Sequence, residues 1–136
     1  MKFQFITNKI DLIRLSNLIK LDNDISGCVL PKILKSNEYI IALIDKISNQ
    51  IMSFIWFGIY ENILIGKHMN TNYSYTIIKY RFNGLNKMLR LKLEEFALIK
   101  QIYKLTSKPF DDSLSLNILL NLGYVSNKNF YIKIIR

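Results

Sequence analysis

The stretch from Tyr73 to Lys100 constrains the fold more than any other part of this chain. Tyr73–Lys79 is rich in β-branched and aromatic residues, the composition of a strand. Arg81-Phe-Asn-Gly84 then reads as a tight turn, and Leu85–Lys100 as a long helix. That helix is apolar on most sides, through Met88, Leu89, Leu91, Leu93, Phe96, Ala97, Leu98 and Ile99, so it is expected to lie against a sheet. A turn feeding a helix N-terminus leaves backbone N–H groups without partners at the positive end of the helix dipole, where phosphates bind. Arg81 adds a cation beside them, and Gly84 lets a ligand approach the backbone. A pyrophosphate-bearing ligand is the first expectation.

The remaining elements fall around this unit. Lys2–Thr7 is a strand, and Asn8 or Thr7 caps a helix over Lys9–Asp22 with Ile10, Ile13, Leu15, Leu18, Ile19 and Leu21 on its apolar side. After a loop over Asp22–Gly27, a short helix is predicted for Pro31–Ser36. Tyr39–Asp45 and Gln50–Tyr60 are strands, and the short link between them makes an antiparallel pair. Alternation places Phe54, Trp56 and Gly58 on one face of the second strand and Ile55, Phe57 and Ile59 on the other. Glu61–Asn72 is less regular, with room for part of a strand. Gln101–Thr106 is a strand, Ser113–Leu122 a helix closed by Gly123, and Phe130–Ile135 a final strand. Residues 1–136 therefore predict one α/β domain, with a mixed sheet and helices on both faces.

Composition narrows the function classes. Half the chain is hydrophobic, enough for a core, yet no apolar run approaches the roughly 20 residues that span a bilayer. Met1–Thr7 lacks the pattern of a signal peptide. Cys28 is the single cysteine, which excludes an intrachain disulfide and a multi-cysteine zinc site and fits a reducing, cytoplasmic compartment. The single histidine, His68, excludes a multi-histidine metal site, so no metal is expected. A net charge of +9 favours an anionic partner, and it also fits a compositional bias towards Ile, Asn and Lys. The lysines are scattered rather than clustered, which argues against a nucleic-acid groove.

The element order, with its phosphate-ready turn, resembles the GNAT acyltransferase superfamily. The family's turn is Arg/Gln-x-x-Gly-x-Gly/Ala, and here Arg81-Phe82-Asn83-Gly84-Leu85-Asn86 matches at Arg81 and Gly84, with Asn86 in place of the small residue. Downstream, Asp112-Ser-Leu-Ser115 followed by Leu122-Gly123-Tyr124 is similar to the family's Asn-x-x-Ser/Ala and Leu-Gly-Phe at the same spacing. A narrower likeness, in Val29-Leu-Pro-Lys-Ile33, Asn37-Glu-Tyr39 and Ser53-Phe-Ile-Trp56, is to the toxin-activating lysine acyltransferases, which draw acyl groups from acyl carrier protein. The catalytic histidine of that group has no counterpart before Val29.

The resemblance implies a single-domain, mostly antiparallel twisted sheet and an N-acyltransferase using acetyl-CoA or another acyl-CoA, acting on an amine acceptor. It implies a pyrophosphate on the backbone of Phe82, Asn83, Gly84, Leu85 and Asn86 with Arg81 assisting, Asp112 flanking, and a pantetheine arm along Tyr75–Lys79. Acyl transfer needs an oxyanion donor, a base and an acid. A backbone N–H near Ile77 or Ile78 is the expected donor to the oxyanion, and Glu61 and His68 are the candidate bases. The family's usual acid, a tyrosine four residues before the glycine of Leu-Gly-Phe, falls on Leu119, so Ser115 and Tyr124 stand as the candidate substitutes. Loss of chemistry with retention of ligand binding is the alternative. An edge of the strand pair or the last strand is the expected surface for a homodimer.

Overall fold

The computed structural model describes residues 1–22, 30–108, 113–127 and 129–136, without the side chains of 113–115. Its strands are β1 (Lys2–Phe5), β2 (Glu38–Ile44), β3 (Ile51–Asn62), β4 (Gly66–Thr76), β5 (Lys104–Ser107), β6 (Val125–Asn127) and β7 (Phe130–Ile134). The helices are α1 (Lys9–Leu21), α2 (Leu85–Ile99) and α3 (Ser113–Asn121). The strands form one 7-stranded sheet in the order β1-β2-β3-β4-β5-β7-β6. Every pairing is antiparallel except β4–β5, which is parallel. This is the α/β architecture expected from the element order, with a mostly antiparallel mixed sheet.

Two cores lie on opposite faces of the sheet. Leu85, Leu89, Leu93 and Ala97 of α2, spaced by four, pack on Ile41, Leu43, Ile55, Phe57, Met69 and Leu105. Leu12, Leu15 and Ile19 of α1 pack on Ile40, Ala42, Phe54, Tyr73 and Tyr75. The predicted division of β3 holds, with Ile55 and Phe57 under α2 and Phe54 and Trp56 under α1. The helices are less apolar than they read. Ile10, Ile13 and Leu21 of α1 are exposed, as are Leu91, Leu98 and Ile99 of α2, because each helix buries one stripe.

Local chemistry explains most boundaries. Asn8 caps α1 by accepting from the Asp11 N–H at 2.8 Å. Two helices end in the Schellman arrangement: the Ile102 N–H donates to Ala97 O after α2, and the Tyr124 N–H to Leu119 O after α3. The left-handed residue is Gln101 in the first (φ 58°) and Gly123 in the second (φ 91°). The first of these delays β5 to Lys104, three residues beyond its predicted start.

Several expectations are corrected. Pro31–Ser36 forms bends and turns, not a helix, because Lys35 and Glu38 bond to each other and steer the chain into β2. The segment Glu61–Asn72 is not irregular: it closes a hairpin and supplies more than half of β4. Tyr73–Lys79 is strand only to Thr76, and Ile78–Tyr80 is a single 3-10 turn. The short β6 went unpredicted and covers β7, so the last strand is internal. The β2–β3 pair is internal too, and the sheet edges are β1 and β6. Loops Asp22–Gly27 and Ser107–Asp112 lie largely outside the described residues, as does Cys28.

Leu93, fully buried between α2 and the sheet, tests the first core. Leu93→Ala is expected to lower unfolding free energy by about 2–5 kcal/mol in a denaturant titration.

Candidate functional site

The site begins where β4 loses a neighbour. β4 and β5 pair only at Met69↔Leu105, Asn70↔Thr106 and Thr71↔Ser107. β5 ends at Ser107 while β4 continues to Thr76, so among the described residues one edge of β4 from Asn72 to Thr76 has no strand beside it. On its other edge β4 stays paired to β3, but Trp56 faces Tyr73 and Phe57 faces Thr71, leaving Asn72 as a bulge. The Ile77 N–H donates to Met52 O at 2.9 Å, which fixes the alternation along the strand. Tyr73 and Tyr75 therefore bond towards β3, and Ser74 and Thr76 turn their backbone groups towards the opening. The Thr76 carbonyl accepts from Arg81 Nε at 2.9 Å on that side.

The mouth of the opening is the turn into α2. Gly84 is the N-cap of α2, in the left-handed region at φ 73°, and gives no side-chain cap. Nothing lies within 4 Å of where its Cβ would stand, and the first turn of α2 holds no acidic residue. The helix therefore offers uncapped N–H groups and its dipole to open space. Arg81 stands over the Tyr75 ring at 5.2 Å. Asn83 ties the turn to Tyr80 O at 3.2 Å, and Phe82 is exposed at φ 67°. Asp22, at the end of α1, holds the other lip by accepting from Tyr75 OH at 2.6 Å and from the Ile78 N–H at 2.8 Å. These residues fit a pyrophosphate group: they present open space, backbone donors and a cation.

Beneath the point of divergence lies a polar cluster that the sequence did not announce. Arg90 of α2 is buried, its Nε bonded to Asn86 Oδ1 at 3.0 Å and its Nη1 near Thr71 Oγ1 and Ser107 Oγ at 3.5 and 3.4 Å. Asn86 thus directs its side-chain oxygen along the helix, one turn on. The Tyr124 hydroxyl is buried beside Arg90 without a well-formed hydrogen bond. Burial pushes the Tyr124 phenol above its usual range, and Arg90 opposes that shift. Burial likewise lowers the Arg90 guanidinium from its usual value.

The other predicted residues are placed as follows. Ile77 and Ile78, expected to donate to an oxyanion, have their N–H groups committed to Met52 O and Asp22 Oδ2. The N–H groups of Ser74 and Thr76 face the opening instead. His68 is buried, its Nδ1 at 2.8 Å from Gly66 O, beside Tyr60. Glu61 is exposed near the hairpin tip, opposite Lys67. Both lie on the paired side of the divergence, away from the Arg81 turn. Leu119 is packed in the α2 core. The Ser115 side chain, Asp112 and Val29 are outside what is described.

No family model and no curated protein matches the chain by sequence. Solved structures do match, and they show that the chain has the fold of the GNAT acetyltransferases. A chain of the NatB acetyltransferase complex bound to CoA superposes with a TM-score of 0.80 at 14% identity, covering 100% of both chains. Arabidopsis thaliana NAA60 in complex with acetyl-CoA gives 0.79 at 12% identity over 98% of this chain and 99% of that one. An acetyltransferase assigned to the GNAT family from Desulfovibrio desulfuricans gives 0.72 at 8% identity over 99% and 100%.

The Tyr124 environment predicts an alkaline effect. A phenol raised on folding stabilises the protein below the unfolded value of about 10 and loses that contribution as pH rises past it. Between pH 9 and 11 the wild type should lose stability relative to Tyr124→Phe, measured by urea unfolding at each pH.

Proposed function

We infer that this protein is an acyl-CoA-dependent N-acyltransferase, acting on an amine. The observation that carries this is the opening between β4 and β5, flanked by the uncapped, glycine-led N-terminus of α2 and Arg81. Phosphates find backbone N–H groups from Phe82 to Asn86 and the Arg81 charge; an extended pantetheine arm finds the free edge of β4 at Ser74 and Thr76. The neighbours solved with CoA or acetyl-CoA support this assignment of the cleft.

Each chemical role has a candidate. The Ser74 and Thr76 N–H groups face the opening and supply the oxyanion donor. Tyr124, with its phenol held neutral by burial, is the candidate acid for the leaving thiolate. His68 and Glu61 are the candidate bases, and they lie on the side of the divergence opposite the phosphates, where an acceptor amine would arrive. The burial of Leu119 in the core supports a second reading, a fold that binds the thioester without turning it over.

Isothermal calorimetry with CoA and acetyl-CoA tests the binding. Micromolar affinity is expected for the wild type. Gly84→Ala should keep it, and Gly84→Glu should abolish it by placing bulk and negative charge on the N–H groups. Both variants bear the same left-handed strain, roughly 1–2 kcal/mol, so their difference reports the ligand site. Unchanged affinity in folded Gly84→Glu would remove this turn as the donor site. Release of free thiol from acetyl-CoA with peptide or polyamine acceptors would exclude the binding-only reading.

A further inference from the structure

We propose that Arg90 makes the site selective for a short acyl group ending in a carboxylate, the donor being a dicarboxylic monothioester of CoA; this rests on the acyl-CoA reading above. Arg90 is only 6% exposed. Its guanidinium has five N–H donors. One is well bonded, to Asn86, and Nη1 makes two long contacts with the hydroxyls of Thr71 and Ser107. No hydrogen bond from Nη2 and no ion pair to Arg90 is formed among the described residues, where the ion pairs are Arg14–Asp11, Lys92–Glu95 and Lys133–Glu94. The Tyr124 hydroxyl lies beside the guanidinium and interacts with it, without a well-formed hydrogen bond of its own. Among the described residues no carboxylate is bonded to Arg90, whose charge is met by hydroxyl and amide dipoles; Glu94 acts on Tyr124 from beside the cluster and is itself paired with Lys133.

A charge held this way is costly. Withdrawing an ion from water costs several kcal/mol, and hydroxyl and amide dipoles offset only part of that. The neighbours Leu89 and Leu93 are ordinary core residues, so packing alone does not call for an arginine here. A ligand that brings its own carboxylate completes the cluster: Nη1 and Nη2 bind it as a fork.

The position fits the end of an acyl chain. Thr71 and Ser107 are the last β4–β5 pair, so Arg90 lies at the point of divergence. From Thr76 to Asn72 the free edge of β4 runs about 13 Å at ~3.3 Å per residue. A donor anchored by its phosphates at Gly84 and extended along that edge brings its acyl group to the Arg90 end. The transfer itself is unchanged. The amine nitrogen bonds to the thioester carbonyl carbon, the C–S bond breaks, CoA leaves as a thiolate and takes a proton, and the distal carboxylate remains on the product. A neutral acyl group leaves Arg90 unpaired, and that difference sets the preference.

The test compares calorimetric Kd values for succinyl-CoA and butyryl-CoA, whose acyl chains have the same carbon number and differ in a terminal carboxylate or methyl. The wild type should bind succinyl-CoA about 10- to 100-fold more tightly, as a charged hydrogen-bonded pair provides. Arg90→Met should erase or reverse the preference while still binding CoA, and Arg90→Lys should keep part of it. Equal or tighter binding of butyryl-CoA by the wild type overturns the proposal, with no variant needed. So does a ratio that Arg90→Met leaves unchanged. Failure of the underlying acyl-CoA reading looks different: CoA alone does not bind.

Discussion

The arrangement of this molecule depends on β5 ending at Ser107 while β4 runs on to Thr76. A parallel pair held over so few residues gives up hydrogen bonds that a longer β5 would have made. In exchange, a row of backbone donors and acceptors faces a gap instead of a neighbouring strand. The candidate site is arranged around it: the uncapped start of α2 at its mouth, Arg81 and Asp22 fixing its lips, and the Arg90 cluster at its closed end. The fold supplies a half-finished sheet, and a ligand with its own amide groups can take the missing strand's place.

Much of the framework was legible in the sequence. The β2–β3 pair, the α2 helix with its glycine-led turn, and the Gly123 stop follow from periodicity and backbone chemistry, which act locally. The site's centre was harder. Asn70, Thr71 and Asn72 are polar, so the middle of β4 looked like a loop, although the tertiary pairing on both sides makes it strand. The N–H groups of Ile77 and Ile78 looked available because nothing local shows that Met52 and Asp22 would claim them. Arg90 was hidden by its type: a lone arginine in an apolar helix reads as a solvated residue. Its spacing from Asn86, Leu93 and Ala97 places it on the sheet-facing side, and that signal was there to be used.

The site is also electrically lopsided. Arg81 is exposed at the mouth and screened by water and salt, so its pull on an anion fades beyond about 10 Å. Arg90 is buried, where the same unit charge acts far more strongly over short distances. The two cations stand at opposite ends of one cleft, the outer suited to recruiting a phosphorylated ligand and the inner to discriminating what that ligand carries.

The bulge at Asn72 has a consequence for how such a chain can change over generations. Before it, Met69 points to the α2 core; after it, Tyr73 and Tyr75 point to the α1 core. In plain alternation, with no bulge to absorb Asn72, the two tyrosines would exchange faces with Ser74 and Thr76, and both cores would be filled by the wrong side chains at once. Asn72 and the bulge go together: losing both would keep every face, whereas one residue gained or lost elsewhere in the strand, with no bulge to absorb it, would turn the rest over. Changes of length in this strand are therefore expected at that interval, where one residue can come or go without turning a side chain to the wrong core.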